Sequence, residues 1–600
     1  MRIAVDTGGT FTDFVVLDDS GVRRFKLPST PDEPARAIEE GCAFADCDFE
    51  LVHGTTVATN AILEGKLVRT GLVVPEGFRD LLRLGRQSRP ELYDWEPSLP
   101  DLPVLDCDIR TVSGRVAPDG SVLEPFAIPT SLDLEDCEAV AVCLLYSYAN
   151  PGAEEAIARL IRAGAFASLS HRVSPETREY ERACATVLNA AVGPIIGRYL
   201  GNIRVLSDDI GVMGSHGGLL SVQDAEAIPI RTVVSGPAGG VAATVAFGRR
   251  HARPNLIAFD MGGTSTDVTL IDDYRPSMTA CADIAGLPVR LRRIDVHTIG
   301  CGGGSIALAD SAGALRVGPI SAGAVPGPAL FGGPSPTVTD ANYLLGRLPL
   351  AAFSGRMDSE NCRTVMASLA HGLRISLEDC AQAIVDVADA HMAAAVRRVS
   401  AERGFEPSAF SLVAFGGAGG MHACAVAELL EITEILCPIG AGVFSAVGLL
   451  GAPYAWEESL GVIGGAHDWA STFAELESKA RTHVPTGDVG AERIADMRYR
   501  GQSHELSVPA NSTYEDAGAA FSELHRDTFG ATFERREIEW VTARVRLHGA
   551  ELKHPLISGD FGVDTETIGP AVIAQDDCTI FVADGWTAKP LSDGATRIGR

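Results

Sequence analysis

The chain has 600 residues, too many for one core, and at roughly 150 residues per domain it implies about four units as a prior. Its composition, 46% hydrophobic and 21% charged, excludes wholesale disorder. A balance of 50 basic against 78 acidic residues, net −28, argues against a sequence-independent nucleic-acid binder and against adsorption to anionic membranes, both of which need a basic face.

The start, Met1-Arg2-Ile3-Ala4-Val5-Asp6, lacks the basic and apolar regions of a signal peptide, and no stretch approaches the 18 or more uncharged apolar residues of a membrane span. A cytoplasmic location is expected. Residues 3–17 predict a β-hairpin. An amphipathic helix follows over Pro34 to Phe44, then a strand, Leu51 to His53, leading into a helix start at Gly54-Thr55-Thr56. The Pro- and Asp-rich segment 96–130 reads as loop, with a hairpin at Gly114 to Leu123. A helical run, Thr177 to Leu200, closes a first lobe, 1–200. A second lobe, 201–455, opens with Ile203 to Leu206, carries Ser235 to Gly240 and a second hairpin at 256–270, and ends in helices over Leu377 to Arg403 and Ala423 to Leu430. Beyond 456 the period-2 alternation of Trp540-Val-Thr-Ala-Arg-Val-Arg-Leu and similar runs predicts a smaller β-rich C-terminal domain, 456–600. The 13 cysteines are odd in number, with no C-x-x-C pair, which signals neither a disulfide framework nor a thiolate zinc site.

The two hairpins repeat one pattern. Asp6-Thr7-Gly8-Gly9-Thr10-Phe11-Thr12-Asp13 recurs as Asp260-Met261-Gly262-Gly263-Thr264-Ser265-Thr266-Asp267, the shared form being D-x-G-G-T-x-T-D. An acid at a strand end can hold a divalent cation, and adjacent glycines let backbone N–H groups close on phosphate oxygens. One such loop is an ordinary turn composition. Two of them, each opening a lobe, can clasp one nucleotide's phosphates from both sides with Mg²⁺ between. Neither is a Walker A loop, and no G-x-G-x-x-G follows the first strand. A third cluster, Gly416-Gly417-Ala418-Gly419-Gly420, follows a β-type run and suits a ribose or adenine against bare backbone.

Two phosphate hairpins followed by Gly-Gly-Ala-Gly resemble the actin-like ATPase superfold. More closely, the chain resembles the ATP-binding subunit of the hydantoinase A/5-oxoprolinase family, whose relatives include N-methylhydantoinase, caprolactamase and the acetone and acetophenone carboxylases. The matching segments include Asp6 to Asp13, Val52-His53-Gly54-Thr55-Thr56, Arg178-Glu179-Tyr180-Glu181-Arg182, Ser235 to Gly240, Phe259 to Asp267, Asp295-Val296-His297-Thr298-Ile299-Gly300, Gly302 to Ser305, Thr337 to Asn342 and Phe415 to His422. They run through nearly the whole chain. One departure is Gly420-Met421-His422, where the family has Pro-Leu-His after Gly-Gly-Ala-Gly.

The resemblance implies an α/β fold with two actin-like lobes, mixed sheets with flanking helices, plus the β-rich C-terminal domain. It implies an ATP- and Mg²⁺-dependent hydrolase of a cyclic amide (hydantoin, 5-oxoproline or lactam) or, alternatively, a carboxylase of a ketone, working as a hetero-oligomer with a hydantoinase B-type subunit. Asp6 and Asp260 would hold Mg²⁺; Thr7, Gly8, Gly9, Thr10, Thr12, Gly262, Gly263, Thr264 and Thr266 would cradle phosphates; Asp13 and Asp267 would support the turns. Gly416, Gly417, Gly419 and Gly420 would face the nucleoside.

On the substrate side, His53 with Thr55 and Thr56 either faces the cleft or is a satisfied core histidine beside a helix cap. Arg79, Arg86 and Arg89 either clamp a cyclic imide or carboxylate or make ion pairs. Asp295 and His297, two apart on an expected strand, point the same way and either bind metal, handle a proton or serve the fold. Cys301 has no visible activating partner, which disfavours a catalytic thiol.

Overall fold

A computed structural model of the chain describes residues 1–30, 32–45, 48–88, 93–96, 100–348, 357–485, 487, 489–533, 535–550 and 565–600. Its two largest sheets share one plan. The first runs in the order Leu219–Ser221, Asp209–Met213, Glu50–Gly54, Arg2–Thr7, Phe11–Asp18, Gly21–Pro28. In the second, Leu256–Met261 lies between Thr266–Asp272, its hairpin partner, and the parallel strand Ser411–Phe415. Each hairpin's leading strand is therefore central, flanked by its antiparallel partner and by a parallel strand that feeds a helix. Burial on both faces explains the unbroken apolar runs Ile3-Ala4-Val5 and Leu256-Ile257-Ala258-Phe259.

The helices form three layers. Glu179–Ile203 and Pro34–Cys42 cover the outer face of the first sheet, with Val57–Leu63 packed among them. Leu377–Ala401 and Gly416–Leu429 cover the outer face of the second. Between the sheets lie Ser235–His251 and Phe444–Gly451, packed against Ala4, Val15 and Val52 on one side and Ala258, Val413 and Phe415 on the other. They cross closely because glycines face each other: a methyl on Gly448 would fall 1.9 Å from the Gly239 carbonyl. A four-stranded parallel sheet (Phe166–Leu169, Ala139–Val142, Thr70–Pro75, Ile109–Val112) extends the first lobe, and a four-stranded antiparallel sheet with helices Trp469–Ala480 and Tyr514–Phe529 forms most of the C-terminal part.

Several expectations change. The divisions at 200 and 455 cut through sheets: residues 209–221 belong to the first sheet, and strands between 567 and 599 extend the second through the pairing of Thr596–Gly599 with Glu434–Cys437. Ile203, expected to open the second lobe, ends the helix Glu179–Ile203 of the first. Gly416 to Gly420 and Gly236 to Gly240 are first turns of helices, not free turns. The helix Glu179–Ile203 is long and apolar enough to cross a membrane, yet 78% of its most apolar window is buried inside the protein, as the core helix of the first lobe. The hairpin expected near 114–123 is present as Arg115–Val116 paired with Val122–Glu124.

Candidate active site

The two D-x-G-G-T-x-T-D turns close alike. The Gly8 N–H donates to the Phe11 carbonyl and the Gly262 N–H to that of Ser265, both at 3.0 Å. They face each other across the cleft: a methyl on Gly263 would lie 3.7 Å from Thr10 Oγ1. Because the pairs Asp6–Asp13 and Asp260–Asp267 are directly opposite in register, both acids of each pair project from one sheet face. Extending the register sideways gives two equivalent rows: Gly54, Asp6, Asp13, Lys26 in the first lobe, and Phe415, Asp260, Asp267, Thr298 in the second.

Four carboxylates on two facing rows repel, and burial makes the charged state costlier. Burial, then Asp13 and Asp260, push Asp6 up to about 8. Burial, then Asp267 and Asp13, push Asp260 up to about 7. Burial raises Asp13 and Asp267 to about 6, against the opposing effects of Lys26 and Thr298 respectively. Lys26 Nζ donates to Asp13 Oδ1 at 2.8 Å and to the Gly442 carbonyl at 2.5 Å, and Thr298 Oγ1 donates to Asp267 Oδ1 at 2.5 Å. Asp6 Oδ1 is buried without a hydrogen-bond partner.

Helix starts converge on the two central acids. A methyl on Gly236, in the first turn of Ser235–His251, would lie 3.4 Å from Asp6 Oδ1; one on Gly416, which opens Gly416–Leu429 at φ +78°, would lie 2.4 Å from Asp260 Oδ1. Only glycine tolerates that second position. Helix N-termini supply unpaired N–H groups and a positive partial charge, the environment that binds phosphate. Val234, just before the first of these helices, sits at φ +62°, held there by its N–H on Thr59 Oγ1 at 2.9 Å.

These features fit a divalent cation and phosphates. No group of three or more metal-ligating side chains occurs among the described residues, so a cation at Asp6 or Asp260 would complete its coordination with phosphate oxygens and water, the habit of Mg²⁺. In divalent-free buffer the protein is expected to melt at progressively lower temperature as pH rises from about 5 to about 9. Carboxylates held at about 6 to 8 in the fold, against an ordinary 3.8, keep protons that the unfolded chain has released, so stability present at low pH is lost as pH climbs through the folded values. Added Mg²⁺ should flatten that slope in a calorimetric pH series; a pH-independent melting temperature without Mg²⁺ would show that the acids lie in water.

Some expected ligands are engaged elsewhere. Thr12 and Thr266 are fully buried; Thr12 Oγ1 pairs with Ser29 Oγ at 3.1 Å, and Thr266 Oγ1 donates to the Cys301 carbonyl at 2.5 Å. They brace the turns rather than reach phosphate. The N–H groups of Gly8 and Gly262 are held in the turns, leaving Gly9, Thr10, Gly263 and Thr264 as the open part of each loop. Thr7 is buried, its hydroxyl without a hydrogen-bond partner. Gly416 and Gly417 face the opening, whereas Gly419 and Gly420 are buried: a methyl on Gly420 would strike the Thr579 carbonyl at 2.8 Å, so that glycine permits helix packing. His422, two residues on, is buried, taking a hydrogen bond from Asn342 Nδ2 at 3.1 Å and donating to Asp389 at 2.6 Å.

His53 does not face the cleft. It is fully buried, its Nδ1–H donating to the Val5 carbonyl at 3.1 Å and its Nε2 accepting from the Tyr199 hydroxyl at 2.6 Å, and burial pushes its pKa down to about 4. Neutral and doubly bonded, it positions the strand that carries Gly54. Asp295 precedes its strand and pairs with Arg403 at 2.5 Å. Burial and then Arg398 depress His297. Alternation puts His297 on the opposite face from Thr298, so the neighbour, not the histidine, reaches the acidic row. Arg79 holds the Asp106 and Ile109 carbonyls, and Arg86 makes a two-pronged pair with Glu181 at 2.9 and 2.6 Å; both are engaged within the protein, and Arg89 lies outside the described residues. Burial lifts the Cys301 thiol to about 12, in keeping with an inert core residue. Lys26 and Thr298 escaped the sequence reading because each joins its row through strand pairing rather than through the repeated motif.

Family models agree with this architecture. The hydantoinase/oxoprolinase N-terminal region matches residues 2–164, and hydantoinase/oxoprolinase matches residues 182–458. The chain is 33% identical to caprolactamase subunit alpha of Pseudomonas jessenii, across 90% of this chain and 86% of that protein. It is 30% identical to 5-oxoprolinase 1 of Arabidopsis thaliana, across 98% of this chain and 53% of that protein. Among solved structures, the ATP-dependent caprolactamase from Pseudomonas jessenii superposes with a TM-score of 0.87 at 29% identity over the full length of both chains. Nucleotide-free acetone carboxylase shares the fold, at a TM-score of 0.79 and 23% identity over all of this chain and 99% of that one. On these matches, the protein is a member of the hydantoinase/oxoprolinase family.

Proposed function

We propose that the protein is the ATP-binding subunit of an ATP-dependent cyclic amidase that activates the amide by phosphorylating its carbonyl oxygen. The observation that carries this reading is the pair of facing acidic rows, each with a helix start at its central acid and with Asp6 Oδ1 buried and unpartnered. Such a site asks for a cation and phosphates together, and phosphoryl transfer depends mainly on positioning and charge neutralisation. Asp6 and Asp260 would hold Mg²⁺, which supplies neutralisation of charge on the phosphates when bound. Gly9, Thr10, Gly263 and Thr264 would close over those phosphates, and Gly416 and Gly417 would leave room for the nucleoside.

In the proposed chemistry the amide oxygen attacks the γ-phosphorus and the bond to the β-phosphate oxygen breaks, releasing ADP. The phosphorylated imidate is a strong electrophile. Water adds to its carbon, the C–N bond opens with a proton going to nitrogen, and the resulting acyl phosphate takes a second water to give carboxylate and phosphate. A cleft of about 680 Å³ bordered by Ser29, Pro34, Val57, Ile195, Tyr199 and Asn202 is the candidate seat of the amide. It abuts the first hairpin, since Ser29 Oγ donates to the Gly8 carbonyl at 2.7 Å, and it has the size of a small-molecule site. A hydantoinase B-type subunit would complete hydrolysis; the caprolactamase relative is itself the alpha subunit of its enzyme.

The test is ATP turnover by the chain co-purified with its partner subunit, supplied with hydantoin, 5-oxoproline, caprolactam, or acetone with and without bicarbonate. Amine or amino-acid release in step with ADP is expected. Bicarbonate-dependent turnover of the ketone would replace this reading with the carboxylase one, and hydrolysis of ATP indifferent to every substrate would overturn both.

A further inference from the structure

Away from the phosphate cleft, a small cavity of about 20 Å³ lies where the first lobe, the segment 290–292 and the C-terminal sheet meet. Glu176, Arg231, Arg290, Arg292, Glu457 and Arg544 line it, with Ser174 on its wall. Most of this charge is paired. Arg544 holds Glu176 at 2.5 and 2.8 Å, Asp496 at 2.8 Å and Glu457 at 3.5 Å; Arg290 holds Glu176 at 2.6 Å; Arg292 holds Glu457 at 3.3 Å.

Arg231 is the exception. Its Nη2 donates only to the Glu457 backbone carbonyl, at 3.1 Å, its guanidinium lies 3.9 Å from the Trp456 ring centre, and its Nε and Nη1 are buried with no hydrogen-bond partner. Ser174, 3% exposed, also has a buried hydroxyl with no partner. Besides Glu176, Glu457 and Asp496, the guanidinium groups of Arg231, Arg290, Arg292 and Arg544 have Glu458 and Asp224 nearby, Glu458 acting most strongly on Arg231; Arg546 stands against His216, and Asp224 also bonds His483 at 2.7 Å. What Arg231 lacks is acceptors for its Nε and Nη1. His216, also on the wall, adds no charge: burial and then Arg546 push its pKa down to about 3, its Nδ1 accepts from the Gly218 N–H and its Nε2–H donates to the Ala455 carbonyl.

Unmet buried donors are costly, and the space holds one water-sized group. We propose that this cavity is a binding site for one small monovalent anion of halide size, held by Arg231 and the Ser174 hydroxyl. Such an ion, which only accepts, supplies the missing acceptor at the junction of three parts of the fold. A polyatomic oxyanion such as sulfate exceeds the volume. The inference is independent of the chemistry proposed for the cleft.

Crystals of the full chain equilibrated with sodium bromide, measured at the bromine absorption edge, should show an anomalous peak in this cavity. In solution, bromide or chloride should raise the melting temperature by about 2–4 °C over gluconate at equal ionic strength. Ser174→Asp, which builds the negative charge into the cavity, should melt at the higher temperature in gluconate and lose its response to halide. A water in place of the peak, or equal melting of the wild-type protein in bromide and gluconate, would overturn the proposal whether or not the Ser174 variant folds.

Discussion

Asp6→Asn and Asp260→Asn should each lower ATP-dependent turnover by about a thousand-fold, the scale seen when one preorganised charge-stabilising group is lost, while leaving the protein as stable as before or more so. The two halves of this expectation come from one fact. The carboxylates at 6 and 260 are raised by burial and by their acidic neighbours, so in the absence of a cation each destabilises the fold once ionised. Asparagine keeps the shape and removes the charge. At pH 9 without Mg²⁺ the variants should melt above the wild type, and the advantage should shrink as Mg²⁺ is added. Full turnover in either variant would dislodge the acid from the site; lost turnover with a lowered melting temperature would make its role structural instead.

Arg544→Leu should be the most damaging single change outside the cleft, costing about 3–5 kcal/mol in denaturant unfolding, the range for breaking a buried ion pair by removing one partner. Arg544 is 2% exposed and joins Glu176 of the first lobe to Asp496 of the C-terminal sheet. Without it Asp496 loses its guanidinium partner and Glu176 retains Arg290 alone. Glu176, which the guanidinium groups of Arg544 and Arg290 hold well below the usual carboxylate range despite its burial, would then carry an under-compensated charge in the core. Adding Glu176→Gln to Arg544→Leu should recover part of the loss, because a neutral amide is cheaper to bury than a carboxylate missing a partner. A cost below about 1 kcal/mol for Arg544→Leu would mean that the cluster behaves as a solvated surface pair.

The repeat of D-x-G-G-T-x-T-D was legible because it is local. Two strands joined by a glycine turn declare their own pairing, and both hairpins form with Asp6 opposite Asp13 and Asp260 opposite Asp267. What the repeat could not convey is which polar groups the turns use internally: Thr12 and Thr266 occupy equivalent places and both face inward. Strands distant in sequence carry no mark of their neighbours, so the sequence puts Asp209–Met213 with the second lobe, and Thr298 stands out less than His297. The glycines at 416–420 belong to a helix although glycine disfavours one. The fold overrides that preference, since a side chain at 416 would strike Asp260 and one at 420 would strike the strand at 579–582.

The two lobes present nearly the same row of atoms to a molecule lying between them. A ligand bound across two like halves, itself with unlike ends, takes its direction from the places where the halves differ. Such places include Lys26, where the other lobe has Thr298, and the bonded pair Thr55-Thr56, where the other has the bare Gly416-Gly417, beside the exchange of Gly54 for Phe415 in the rows themselves. One end of the cleft thus offers an ammonium group and hydroxyls, the other open backbone. Exchanging these residues between the lobes would leave the halves equally able to hold charge and would turn the preferred direction of their guest around.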